Sequence, residues 1–300
     1  MSVLNRSAGR DIHIYEAKNP DTLIGGLILT NGMTNANFYS MVEIICIFDG
    51  TYFLRDEYGT IIQRDGSPLH SGKYYILTSG SMTLSDESWL VRTVSLASGS
   101  RVAGFRDAVR ARDRRCVITG TEALSADYGI WRGFEAAHIF PLALEHHWTD
   151  NVYSRWITVP ASSGGSINSV QNGMLLRSDI HTLFDGYDIS INPDDNYKIV
   201  CFRPDGYNIA GKHLDQRFLE DPHRPVYQLL RWHFRQAVIA NMKGAGEPIF
   251  ECDFPPGSDI MGEIISSPRA AELMEFELSS RLAVGSRRKA TARGVSYSSY

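Results

Sequence analysis

The 300-residue chain reads as an α+β protein, with a β-rich N-terminal domain at residues 1–97 followed by a domain of strands and flanking helices at residues 101–250. Three observations lead there. Up to about residue 95, short runs of β-branched and aromatic residues alternate with the turn pairs Asp49-Gly50, Tyr58-Gly59 and Asp65-Gly66. Ser95-Leu96-Ala97-Ser98-Gly99-Ser100 is a run of small residues suited to a linker. Beyond it, apolar residues recur at helical spacing.

The N-terminal strands are expected at Ile12–Tyr15, Leu23–Leu29, Met41–Phe48, Thr51–Leu54, Ile61–Gln63, Tyr74–Leu77 and Trp89–Val94. Their number and close spacing suggest a small antiparallel sheet, a meander or a partly open barrel. No catalytic chemistry clusters in it, so it reads as a support or recognition domain.

Phe105–Arg115 follows as a short basic helix, with Phe105 and Val109 on its apolar side and Arg106, Arg110, Arg112, Arg114 and Arg115 around the rest. Residues 120–169 are loop-rich. Gly173–Leu176 then leads into a helix opening at Ser178, whose hydroxyl can cap the first turn, and closing before Gly186. Ile189–Pro193 and Tyr197–Phe202 suggest a hairpin. Pro225–Met242 has the period of an amphipathic helix, with Val226, Leu229, Leu230, Phe234, Val238 and Ile239 as its stripe. A C-terminal segment at 251–284 holds one more helix, Pro268–Leu282, and residues 285–300 form a basic tail whose Ser, Arg and Gly content predicts disorder.

A composition of 43% hydrophobic and 21% charged residues excludes a fibrous or wholly disordered chain. The longest apolar runs fall short of the roughly 20 residues that a membrane-spanning helix needs, so no membrane association is expected. Met1–Ser7 has no apolar core of the secretory kind, and an intracellular location, cytoplasmic or nuclear, is the expectation. Cys46, Cys116, Cys201 and Cys252 are scattered and form no Cys-x-x-Cys pair, which points to reduced thiols. The net charge of −4 argues against a surface wholly given to nucleic acid. Its distribution is uneven, with five cations and no acid in residues 281–300 and a second basic cluster between Arg101 and Arg115.

The chemistry concentrates between Cys116 and Asp185. His181 and Asp185 stand four apart in a helical stretch and project from one face, a spacing that can chelate one divalent ion. Imidazole with carboxylate suits a catalytic ion better than a structural zinc, which would bring cysteines. His138 lies in the apolar run Ala136-Ala137-His138-Ile139-Phe140, where a buried ring needs a partner, and Asn172 could supply it once the chain folds back. His146 and His147 read as loop residues facing opposite ways, while His213, His223 and His233 read as surface or packing residues.

Three segments taken together, Cys116-Val117-Ile118-Thr119-Gly120, Phe134 to Pro141 and Gln171 to Asp185, resemble the HNH endonucleases of the ββα-metal superfamily. Within these, the chain is similar to a subfamily of fungal proteins and bacterial restriction-type nucleases that pairs an Ala-Ala-His-Ile strand with an Asn-Gly-x-x-Leu-x-x-x-x-His-x-x-Phe-Asp segment. The resemblance covers roughly residues 101–200. It implies an HNH ββα-metal domain that hydrolyses DNA phosphodiester bonds, with His138 as the general base and Asn172 orienting that ring or holding the hairpin. It further implies that His181 and Asp185 hold one divalent ion, Mg or Mn first and Zn or Ni next, which stabilises charge on the phosphoryl and leaving oxygens. Many HNH enzymes carry a ligand where this chain has Ala137. Glu135, on the same strand face, is the expected substitute. Arg177, Arg110, Arg114 and Arg115 are the expected phosphate contacts, which would position a duplex without reading its sequence. DNA is the expected partner, and a homo-oligomer or a protein partner through the N-terminal domain is left open. Two alternatives also stay open: a catalytically silent HNH-fold binding module, and an HNH-like scaffold repurposed for small-molecule chemistry.

Overall fold

In the computed structural model, residues 6–87, 90, 100–161 and 163–244 are described. Most of the strand expected at Trp89–Val94, together with Cys252, the helix at Pro268–Leu282 and the basic tail, lies outside them.

The first layer is built from β1 (Ile12–Glu16), β2 (Asn19–Leu27), α1 (Asn35–Ile45), β3 (Cys46–Phe48), β4 (Tyr52–Asp56), β5 (Ile61–Ile62), β6 (Gly72–Thr78) and β7 (Met82–Leu84). Five of the strands form one sheet in the order β2-β1-β6-β4-β5, and β3 pairs with β7. The sheet is mixed where an antiparallel one was expected, because β6 inserts between β1 and β4 and runs parallel to β1, from Ile12 opposite Gly72 to Glu16 opposite Ile76. Parallel neighbours need a long crossover, and α1 with the strands after it provides one. The sheet stays open, with β2 and β5 as its edges, so it is neither a simple meander nor a barrel.

The expected strand at Met41–Phe48 is mostly helix. Thr34 Oγ1 accepts from the Asn37 amide, and Asn37 Oδ1 accepts from the Thr34 amide, a reciprocal cap that opens α1. From there Phe38, Met41, Val42 and Ile45 fall on one buried helical face. The aliphatic residues that suggest a strand serve a 3.6-residue period instead.

The second half contains α2 (Ser100–Asp113), β8 (Phe134–His138), α3 (Glu145–Asp150), β9 (Gly173–Arg177), α4 (Ser178–Asp185), β10 (Ile189–Asn192), β11 (Lys198–Cys201), α5 (Gln216–Glu220) and α6 (Tyr227–Met242). β10 and β11 form the expected hairpin. Helix α2 begins earlier than expected and stops at Asp113, since Arg114 adopts a left-handed φ of 54°. Arg114 and Arg115 therefore lie past its end. At α4 the cap position belongs to Arg177 and not to Ser178, whose amide donates to the Gly133 carbonyl at 3.0 Å as β9 runs straight into the helix.

Helix α6 is buried nearly all round and not amphipathic as expected: Trp232, His233, Gln236 and Asn241 are as enclosed as the apolar stripe. It touches α1, β2 and β10, so both faces meet protein. The described residues fall in one compact unit, tied across the two halves by side chains such as Asn37, which donates to Asp195 at 2.7 Å and accepts from Lys198 at 3.1 Å. Cys46, Cys116 and Cys201 are buried free thiols. Among the described residues, no helix is long and apolar enough to cross a membrane.

Candidate functional site

β8 and β9 pair antiparallel with Phe134 opposite Arg177, Ala136 opposite Leu175 and His138 opposite Gly173. With α4 following β9 directly, they form a ββα unit that brings His138, Asn172, His181, Asp185 and Glu135 onto two strands, one helix and the turn before β9. The hairpin is seated on α2 by a buried ion pair. Arg112 meets Asp113 through two contacts, at 2.5 and 2.8 Å, and the side chains are 3% and 0% exposed. Arg112 also donates to the carbonyls of Val170 and Gly173, while Asp113 accepts from the Leu175 amide at 2.7 Å. Burial pushes the Asp113 carboxyl above the usual carboxylate range, although Arg112 and the Leu175 amide pull the other way.

The His138 ring is held on one face and at one edge. Phe105 of α2 stacks on it with centroids 3.7 Å apart and planes 12° from parallel. Gly173 permits that approach: a Cβ there would sit 2.5 Å from the Phe105 ring and 2.8 Å from Val109. Gly173 is thus a packing requirement. At the ring edge, His138 Nε2 lies 3.3 Å from Oδ1 of Asn168.

Asn172 is not the partner of that ring. Fully buried, it accepts from the Phe140 amide at 2.8 Å and donates to the carbonyls of Phe140 and Ile167, which commits its amide to the backbone leaving His138. Of the two roles expected for it, the geometry matches holding the hairpin. Phe105 and Asn168 are what sequence reasoning missed, since each meets His138 across some thirty residues of chain.

On α4, His181 Nδ1 lies 2.6 Å from Glu135 Oε2 and its Nε2 3.3 Å from Asp185 Oδ2. Burial disfavours the imidazolium, but the hydrogen bonds and charges of Asp185 and Glu135 outweigh it, and the His181 pKa is raised. The two carboxylates bracket opposite edges of the ring, so they do not converge on one point. Accordingly, no group of three or more His, Cys, Asp or Glu among the described residues is arranged to hold a metal ion. Ala137, fully buried, contributes no donor.

The arginines divide by environment. Arg114 and Arg115 are exposed and paired with Asp127 and Glu122. Arg110 lies 5.0 Å over the Trp131 ring, and burial with the nearby Arg106 charge lowers its pKa. Arg177 pairs with Asp179 at 2.7 Å and lies 6.0 Å from the Tyr207 ring. His146 and His147 are in helix α3 and not in a loop; His147 packs near Phe140 and Tyr153, and burial lowers its pKa. His233 is a packing residue, stacked on Phe184 and bonded to Ser190 Oγ at 2.7 Å.

Comparison with known families locates this unit. Residues 116–192 match the family model described as HNH endonuclease. The HNH match spans β8, β9 and α4 and contains all five residues of the ββα site, while Phe105 and the Arg112–Asp113 pair lie before it. A second model, described as a domain of unknown function (DUF8573), matches residues 9–83, which include β1 to the start of β7. No curated protein and no solved structure matches the chain. The HNH segment thus carries a nuclease-like fold within a longer chain whose residues 9–83 match a separate family model.

Proposed function

We propose that the protein is a metal-dependent HNH endonuclease that hydrolyses DNA phosphodiester bonds. The observation that carries this reading is the ββα unit, which presents His138 at the end of β8 and the His181 cluster on the helix that follows β9, inside the HNH-matched segment. Neutral His138 takes a proton from water as the water oxygen bonds to phosphorus, and the bond from phosphorus to the leaving 3′-oxygen breaks. Asn172 holds the backbone after β8 so that the ring keeps its place. Arg177, Arg110, Arg114 and Arg115 contact backbone phosphates.

His181 with Asp185, or His181 with Glu135, would hold the divalent ion. The carboxylate would suit Mg or Mn, with waters and phosphate oxygens completing the shell, and the imidazole would also admit Zn or Ni. When bound, the ion supplies charge stabilisation at the phosphoryl and leaving oxygens.

The test is plasmid nicking by the full chain with Mg²⁺ or Mn²⁺ and with EDTA, beside His138→Ala. Metal-dependent nicking that is lost in the variant is the expected result. Undiminished nicking by His138→Ala overturns the assignment of the base. Absence of cleavage with any ion favours a silent HNH-fold module, a reading that the unconverged donors around His181 and the apolar Ala137 support.

A further inference from the structure

We infer that Asn168 is a positioning residue that fixes the tautomer of His138, so that Nε2 carries the hydrogen and Nδ1 the lone pair that receives the proton. The inference rests on the proposed role of His138 as general base. Asn168 is 4% exposed, and its amide orientation is determined: Nδ2 donates to the Gly164 carbonyl at 2.7 Å, a group that can only accept. That leaves Oδ1 toward His138, 3.3 Å from Nε2. A carboxamide oxygen cannot donate, so the contact is a hydrogen bond only when Nε2 bears a proton. In the neutral ring the basic lone pair is then on Nδ1.

Phe105 adds the second constraint. Its ring, stacked at 12° on His138, resists rotation of the imidazole about its long axis, and Gly173 opposite His138 leaves the space for it. Rotation and tautomer are thus held by separate groups, one apolar face and one amide edge. Asn168 also lines a cavity of about 430 Å³ between α2 and Val159, Pro160 and Ala161. Water from that cavity can hydrate Nε2 when the amide is removed, so the Asn168→Ala chain is expected to fold.

Imidazole ¹⁵N spectra of the full chain, with the His138 signals identified by their loss in His138→Ala, test the tautomer without any cleavage assay. The expected spectrum at neutral pH has Nε2 protonated, and Asn168→Ala mixes the two tautomers. A protonated Nδ1 with bare Nε2 in the parent, or an unchanged tautomer in Asn168→Ala, overturns the inference. On the nicking assay, Asn168→Ala is expected to lose about tenfold in kcat with little change in KM, a part of the 10²–10⁴-fold that a well-placed base supplies. Asn168→Asp keeps an acceptor at the ring and adds charge that stabilises the imidazolium, so cleavage survives and its acidic limb moves to higher pH. Parent-like rates and pH profiles in both variants also overturn the role. If the parent chain does not cleave at all, the nuclease reading fails, and the tautomer spectra still decide what Asn168 does to His138.

Discussion

His138 and His181 belong to one ββα unit, yet the chain holds them in opposite ways. His138 meets the Phe105 face and the Asn168 amide on a hairpin fastened to α2 by the buried Arg112–Asp113 pair. His181 sits between two carboxylates, Glu135 and Asp185, which are half or nearly half exposed. Phe105 and Asn168 orient the ring without carrying a charge of their own. The two carboxylates favour the imidazolium form of His181 and raise its pKa. In the proposed function the two histidines would serve different tasks, set by their neighbours.

The contrast is broken most severely from beneath. Asp113→Ala leaves Arg112 as a buried cation without its carboxylate and the Leu175 amide without its acceptor, a change expected to cost about 3–5 kcal/mol. Denaturant unfolding measures it. A loss below about 1 kcal/mol would mean that the hairpin does not depend on α2.

A smaller effect is expected at His181. The His181 pKa is raised in the folded chain, so its contribution to stability is complete below its unfolded value of 6.5 and is lost as pH rises through the folded value. Glu135→Gln removes one of the two carboxylates. The His181 titration followed by NMR should move to lower pH, and the acid-side stabilisation should shrink. A His181 titration identical to the parent would separate Glu135 from that ring.

The smallest effect is expected outside the surroundings of both rings. Arg114 and Asp127 form an exposed pair, and such pairs add little to stability. Arg114→Ala should leave the unfolding midpoint where it is and flatten the salt dependence of DNA binding, read from affinities across a salt series. An unchanged salt slope would remove Arg114 from the phosphate contacts.

Spacing and alternation made part of this site legible before any fold. His181 and Asp185 share a helix face because they are four apart, and Glu135 is the substitute that the HNH resemblance suggests on the strand face of Ala137. The partner of His138 was not legible. Asn172 was the natural candidate by position, but its amide is taken by Phe140 and Ile167, while Asn168, four residues earlier, faces the ring. Nothing in the pattern separates the two asparagines. Helix α1 departs from the expected strand for a related reason: Met41, Val42, Ile44 and Ile45 suit a strand by type, and the cap made by Thr34 with Asn37 decides otherwise.

The sequence by itself determined the α+β class, the β10–β11 hairpin, the shared face of His181 and Asp185, and a segment, residues 116–192, that matches the HNH endonuclease model. These depend on local periodicity, turn chemistry and spacing, which act over a few residues. Tertiary structure alone decided the insertion of β6 between β1 and β4, the enclosure of α6, the commitment of Asn172 to backbone, and the contacts of Phe105 and Asn168 with His138. Each of those pairs groups distant along the chain, and which partner a buried polar or aromatic group finds is settled only when packing has excluded water and the competing partners together.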